Sequence, residues 1–392
     1  MTTNPELISG QKAKFIRMKI RLYTIQVALK YYRNPFLTIR ELKKLLALRR
    51  SVDGSIKIFK YINSGGQYFW KADYSGYPSE NLKAFLLKEF KRSQQTETKK
   101  PDNTQGLQTL IWGITNRCPL SCRHCYEWDN IAHVDKLDIS ALKKVLSIIR
   151  ANGLRHIQFS GGEPLSRFDD LLTLTKEASS DMDCWILTSG YGLSADKAIA
   201  LREAGLKGAQ ISLDHWDAGL HNDFRNNDKS YEMAISAIKN CLNAGIMVSL
   251  SLCATREFVS EENLIKYADM ANELGVNFIR ILEPRAVGKF SNVKVGLTTD
   301  QVELLSDFIK LLNTDKRYKD YPIVTFFGYH QRKMGCFGAG ERYVYIDPNG
   351  DVHACPFCRG SMGNVLNEPF TAIIERVKSV GCHLFENHLN HS

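Results

Sequence analysis

The 392-residue chain has no apolar run approaching the ~20 residues that a membrane-spanning helix needs. Its start, Met1-Thr2-Thr3-Asn4-Pro5-Glu6, lacks the basic residues and apolar stretch of a secretory signal. Without secretion, ten cysteines do not read as five disulfides: a chain of this length needs no covalent staples, and seven of the ten fall into two tight groups. The expected setting is a reducing cytoplasm, including the inner face of the membrane. Acidic residues are scarce near the N-terminus, where residues 1–105 carry 21 Lys and Arg against 8 Asp and Glu, a balance of +13; residues 106–392 carry 31 against 34. So local a basic excess predicts a local anionic contact and argues against a protein coated by nucleic acid, as does the lack of interleaved basic and aromatic patches around the cysteines. Apolar residues at 44% and charged residues at 24% exclude a disordered chain and predict a buried core.

The spacing of Phe15, Met18, Leu22, Ile25 and Leu29 predicts a helix over 11–33, with Ile16, Ile20, Tyr23 and Val27 forming a second stripe. A helix apolar on two sides wants two partners. After Asn34-Pro35, Thr38 with Glu41 three residues on reads as a capping box for a second helix, whose later turns hold Lys43, Lys44, Arg49 and Arg50. Basic side chains there fit a solvated, dipole-matched helix end, or a surface in 11–50 that docks on anionic lipid or an acidic partner. A hairpin over 55–62 and 68–74 and a helix capped by Ser79 complete an extension of residues 1–92, and 93–106, with no apolar residue, reads as a linker.

From Leu107 strand-like runs at 108–115, 155–160, 183–189, 207–214, 246–253 and 276–283 alternate with helical stretches, which predicts a parallel α/β sheet closing into a partial barrel of six β/α units over 107–298. A connecting helix and strand follow in 299–335, then a cysteine-rich region in 336–392. In such barrels chemistry gathers where strands end. The first strand is followed by Cys118-Pro-Leu-Ser-Cys122-Arg-His-Cys125, the second by Ser160-Gly161-Gly162-Glu163-Pro164. Thr188 and Ser189 end the third, Ser212 and Asp214 the fourth, with His221 and Arg225 soon after; Glu283 and Arg285 end the sixth. Hydroxyls and carboxylates there suit a ribose diol, and Arg225 suits a carboxylate or a salt bridge.

Three thiols are one short of a closed zinc site, which His124 or His133 would have to complete, whereas a 4Fe–4S cluster on three thiolates keeps one iron open. Asp347-Pro348-Asn349-Gly350 reads as a type I turn folding Cys336 back towards Cys355 and Cys358, with Cys382 as a fourth thiol, for zinc or for a second cluster. Cys184, Cys241 and Cys253 sit in apolar contexts and read as core, as do Trp185 and Met247.

The C-x-x-x-C-x-x-C run followed by Gly-Gly-Glu-Pro resembles the radical S-adenosylmethionine (SAM) superfamily. The resemblance implies a 4Fe–4S cluster on Cys118, Cys122 and Cys125, with SAM held by Gly161, Gly162, Glu163 and Pro164, by Thr188, Ser189, Ser212 and Asp214, and by Arg225. It implies that SAM is cleaved reductively to a 5′-deoxyadenosyl radical that removes hydrogen from a substrate, with electrons from a donor such as flavodoxin or ferredoxin. Cys336, Gly350 and Cys355 resemble the opening of a SPASM/twitch extension, and four cysteines rather than seven resemble its single-cluster form, with an auxiliary 4Fe–4S cluster on Cys336, Cys355, Cys358 and Cys382. By the same analogy the substrate is a peptide or protein side chain; a membrane-associated isoprenoid, lipid or other small molecule is the alternative, and a non-catalytic zinc module the remote one.

Overall fold

A computed structural model describes residues 4–53, 58–95, 107–131, 133–336 and 338–382. Residues 55–57 of the expected hairpin and 96–106 of the expected linker lie outside them.

The N-terminal part holds β1 (Glu6–Ile8), α1 (Gly10–Tyr32), α2 (Pro35–Asp53), β2 (Tyr61–Ser64), β3 (Gln67–Phe69) and α3 (Glu80–Gln95), with β1, β2 and β3 in one antiparallel sheet. Thr38 does not cap α2. The helix starts at Pro35, whose missing N–H suits a first turn, and Asn34 accepts the Leu37 N–H at 3.1 Å; Thr38 lies one turn in and donates to the Asn34 carbonyl. Ser79 caps α3 by accepting the Leu82 N–H at 3.0 Å, but the helix runs to Gln95, into the stretch read as linker.

The second part alternates strands and helices: β4 (Thr109–Gly113), α4 (Ile139–Ala151), β5 (His156–Ser160), α5 (Phe168–Ala178), β6 (Asp183–Thr188), α6 (Ala195–Glu203), β7 (Gly208–Ser212), α7 (Ala218–Arg225), α8 (Ser230–Asn243), β8 (Met247–Cys253), α9 (Glu261–Glu273) and β9 (Phe278–Leu282). Helix α4 shows why: Asp138 accepts the Ala141 N–H, and Leu142, Val145, Leu146 and Ile149 fall on one buried face. Then come α10 (Thr299–Thr314), β10 (Ile323–Phe326), α11 (Phe327–Met334), β11 (Tyr343–Ile346), β12 (Val352–His353) and α12 (Phe370–Val380).

Strands β4 to β9 pair in parallel in sequence order, as the α/β partial-barrel reading expects. The sheet extends beyond those six. Strand β10 adds in parallel to β9, and β11 adds in parallel to β4, so the start of the cysteine-rich region is part of the barrel sheet; β12 turns back antiparallel on β11.

The N-terminal hairpin closes the floor. Ile62, Phe69 and Ala72 pack on Trp185, Met247, Phe278 and Ile323, near the starts of their strands. Asp73 reaches the sheet, accepting from Gln158 at 2.9 Å and pairing with Arg280, and the Lys60 ammonium donates to the carbonyls of Leu312, Tyr318 and Tyr321. With the floor filled, the open end lies at the C-terminal ends of the strands. No helix among the described residues is long and apolar enough to cross a membrane.

Candidate active site and cluster-binding loops

After β4 the chain enters the loop with Cys118, Cys122 and Cys125. Asp135 fixes the entry: it accepts from the Thr115 hydroxyl at 2.8 Å and the Asn116 N–H at 2.7 Å, and pairs with Arg117 at 3.1 Å. From one side the end of α7 grips the loop. The Phe224 carbonyl accepts the Arg123 N–H, the Phe224 ring stacks on His124 at 4.5 Å, and Asn226 donates to Ser121. From the other side Lys289 donates its backbone N–H to the Cys125 carbonyl and its ammonium to the Ser121 carbonyl. Gly288 allows this approach: its φ is +55°, and a Cβ there would collide with the Cys125 carbonyl.

The three thiols are electrostatic neighbours. Burial pushes Cys118 up to about 12 and Cys125 up to about 11, so both stay protonated until a metal displaces the protons. Arg225 donates to the Cys122 sulfur at 3.7 Å. This donor set fits a cluster held by three thiolates.

Glycines 161 and 162 serve the loop itself. Added Cβ atoms would strike the backbone carbonyls of Thr115 and Arg117, and in their absence Gly162 N–H reaches the Thr115 carbonyl at 2.8 Å and Glu163 N–H the Arg117 carbonyl at 2.7 Å. The carboxylate of Glu163 is buried and engaged by four donors: the Thr188 hydroxyl at 2.7 Å, the Ser189 N–H at 2.8 Å and hydroxyl at 2.5 Å, and the Leu165 N–H at 3.2 Å. A carboxylate has about four lone-pair sites, so Glu163 ties the ends of β5 and β6 together. Pro164 is buried and opens the short 3-10 turn Pro164–Arg167.

Ser212 is half-buried at the end of β7, and Asp214 lies just beyond it, buried. Burial works against ionisation of Asp214, but the Arg225 guanidinium at 2.5 Å and the Cys253 N–H at 2.9 Å hold its carboxyl below the usual range. Within this structure the carboxylate partner of Arg225 is therefore Asp214. Cys184 and Cys241 are core, and Trp185 and Met247 line the floor, whereas Cys253 is half-buried at the end of β8, beside Asp214. Glu283 is paired with Arg332 of α11, and Arg285 stands 3.8 Å from it.

Buried His221 accepts the Asp214 N–H on Nδ1 at 3.1 Å, which requires a neutral ring, and burial lowers its pKa to about 4. Between that value and the ordinary ~6.5 the unfolded chain binds a proton that the native one does not, so stability falls as pH drops from 6.5 to 4. This group contributes on the order of 3 kcal/mol to that loss. Urea midpoints across the interval should show it, with a shallower slope in His221→Gln; an equal slope would contradict it.

The second thiol group forms around the β11–β12 hairpin. Gly350 N–H closes on the Asp347 carbonyl at 3.0 Å, Tyr345 pairs with His353, and Ala339 N–H meets the Ala354 carbonyl, which brings Cys336 beside Cys355. Cys355 and Cys358 sulfurs are 3.4 Å apart, Cys336 is hydrogen-bonded to Cys382, and all four thiols lie within electrostatic reach of Tyr343. Four converging soft donors fit an iron–sulfur cluster. No such group among the described residues already stands as a metal shell.

One link between the two loops has no local sequence signal. Glu127, two residues after Cys125, is buried and forms a bidentate pair with Arg359, next to Cys358, at 2.7 and 3.2 Å; it also accepts from Tyr345 at 2.6 Å and Asn130 at 2.9 Å. Tyr126 meets Phe357 edge-on at 5.8 Å.

Residues 112–271 match the model of the radical SAM superfamily and residues 336–387 that of the SPASM iron–sulfur cluster-binding domain. A pre-heme d1 synthase of Dinoroseobacter shibae is 34% identical over 299 residues, 67% of this chain and 72% of that protein. The chain belongs to the radical SAM superfamily. As a radical SAM enzyme with a SPASM domain, it uses SAM, a 4Fe–4S cluster and auxiliary iron–sulfur chemistry. It is also similar to the mycofactocin maturase MftC of Mycobacterium tuberculosis, 28% identical over 270 residues, 66% of this chain and 68% of that one. The radical SAM fold extends to SuiB of Streptococcus suis bound to its precursor peptide SuiA, at a TM-score of 0.57, 15% identity, and coverage of 74% and 70%.

Proposed function

We propose that this enzyme abstracts hydrogen from a side chain of a peptide or protein. Cys118, Cys122 and Cys125 hold the SAM-binding 4Fe–4S cluster, and Cys336, Cys355, Cys358 and Cys382 hold one auxiliary cluster. When bound, the first of these clusters together with SAM would supply reductive cleavage to a 5′-deoxyadenosyl radical, with electrons from a flavodoxin- or ferredoxin-type donor. The residues do the rest. Glu163 has its acceptors filled, so it positions the loop, and the carbonyls of Gly161 and Gly162 are the acceptors left for the SAM amino group. Ser189 and Ser212 would hold the ribose, and Arg225, already turned on Asp214 and Cys122, holds the loop against the end of β7. The floor contacts of Ile62, Phe69 and Asp73 keep water out below.

The observation that carries this reading is the joining of the two thiol loops at one barrel mouth through Glu127 and Arg359. Peptide as substrate is supported by the relatives, since SuiB is bound to a precursor peptide and MftC is a maturase. The name of the pre-heme d1 synthase favours a small molecule as the second reading.

Protease treatment separates them. A cell extract lacking the enzyme is fractionated, and fractions that accelerate 5′-deoxyadenosine release by the loaded enzyme are digested and retested. Stimulation lost on digestion is expected; protease-resistant stimulation in the small-molecule fraction would move the assignment to the second reading.

A further inference from the structure

We propose that the outer face of α1, continued by the first turns of α2, docks on an anionic membrane surface. On a helix advancing about 100° per residue, Phe15, Met18, Leu22, Ile25 and Leu29 fall on one stripe. All five are exposed, between 42% and 59%. The opposite face is the one that packs: Ile16 joins Ile8 and Tyr61, and Val27, Ala28 and Tyr32 join Phe90 of α3. Of the two apolar sides legible in the sequence, only one meets a partner among the described residues. In α2, Phe36 at 86% and Ile39 at 54% extend the exposed apolar surface.

Charge selects the occupant. The same helical spacing places Lys12, Lys19 and Lys30 along one border of the stripe and Lys14 and Arg21 along the other, all exposed. From Gly10 to Ala47 there are ten Lys and Arg and a single acid, Glu41, which is buried and engaged by Ser93 and Arg40. A second copy of the chain would set these cations against one another. A lipid surface accepts both features at once: the apolar stripe enters the acyl boundary while the flanking cations meet acidic headgroups. Spanning fourteen residue steps, the stripe is about 21 Å long, enough for a helix to lie in the interface plane.

Flotation of the full-length, iron-loaded enzyme with vesicles tests this. It should float with phosphatidylcholine vesicles containing phosphatidylglycerol, less so as salt rises, and stay behind with phosphatidylcholine alone. Met18→Asp with Leu22→Asp, and separately Lys14→Glu with Arg21→Glu, should each weaken partitioning by more than about tenfold, with iron content and 5′-deoxyadenosine release unchanged. Wild type that floats with neither vesicle overturns the proposal, as does flotation of both variants like wild type. A dimer that the Asp variant converts to monomer, without change in flotation, overturns it too and assigns the face to a second copy.

Discussion

Cys122→Ala is expected to reduce 5′-deoxyadenosine release to background. On the proposed assignment the substitution removes one of three ligands to the SAM-binding cluster, and it leaves the Arg225 guanidinium facing a gap where it now meets sulfur at 3.7 Å. Nothing else in the loop depends on that thiol. Asp135, Phe224, Asn226 and Lys289 hold the backbone independently, so the fold should lose only about 1 kcal/mol. Loss of activity with a nearly unchanged urea midpoint is therefore the expected pair of results. Cys358→Ala is expected to behave differently: with Cys358 as a proposed ligand of the auxiliary cluster alone, SAM should still be cleaved while the substrate is not converted. Equal loss of SAM cleavage in both variants would contradict separate roles for the two loops.

Glu127→Ala is expected to cost about 3 kcal/mol and to loosen the cysteine-rich region from the barrel. The carboxylate is 3% exposed, and its removal leaves Arg359, with a side chain only 26% exposed, without its bidentate partner and Tyr345 without its acceptor. Glu127→Gln keeps the shape and the acceptor for Tyr345 but turns an N–H towards Arg359, so it should fall between wild type and alanine. A double-mutant cycle with Arg359→Ala isolates the pair. Faster proteolytic release of the C-terminal region and loss of auxiliary iron should accompany the destabilisation; unchanged stability and iron in Glu127→Ala would show that the pair does not hold the loops together.

What was legible in the sequence was what chain-local chemistry dictates. The three-cysteine spacing, the Gly-Gly-Glu-Pro loop and each strand–helix unit sit within a short window, and the structure joins the two loops where the parallel strands β4 and β5 end. The Asp347–Gly350 turn also acts locally, and it does bring Cys336 beside Cys355. Partnerships across long separations were not legible. Glu127 and Arg359 are 232 residues apart, and neither has a neighbour in sequence that marks it. Asp73 pairs with Arg280 across the barrel floor for the same reason. The turn at Asp347–Gly350 says nothing of the parallel pairing of β11 with β4. At Thr38 two local signals competed, and Asn34-Pro35 prevailed because proline fits the first turn without losing a hydrogen bond. For Glu163 the residue was visible but its use was not: the hydroxyls that fill its carboxylate come from the end of β6.

The most direct test is anaerobic purification with iron, sulfide and zinc analysis, followed by dithionite and SAM. Two 4Fe–4S clusters on seven cysteines predict about eight irons per chain and release of 5′-deoxyadenosine. Zinc in place of iron, with SAM left intact, would contradict the account.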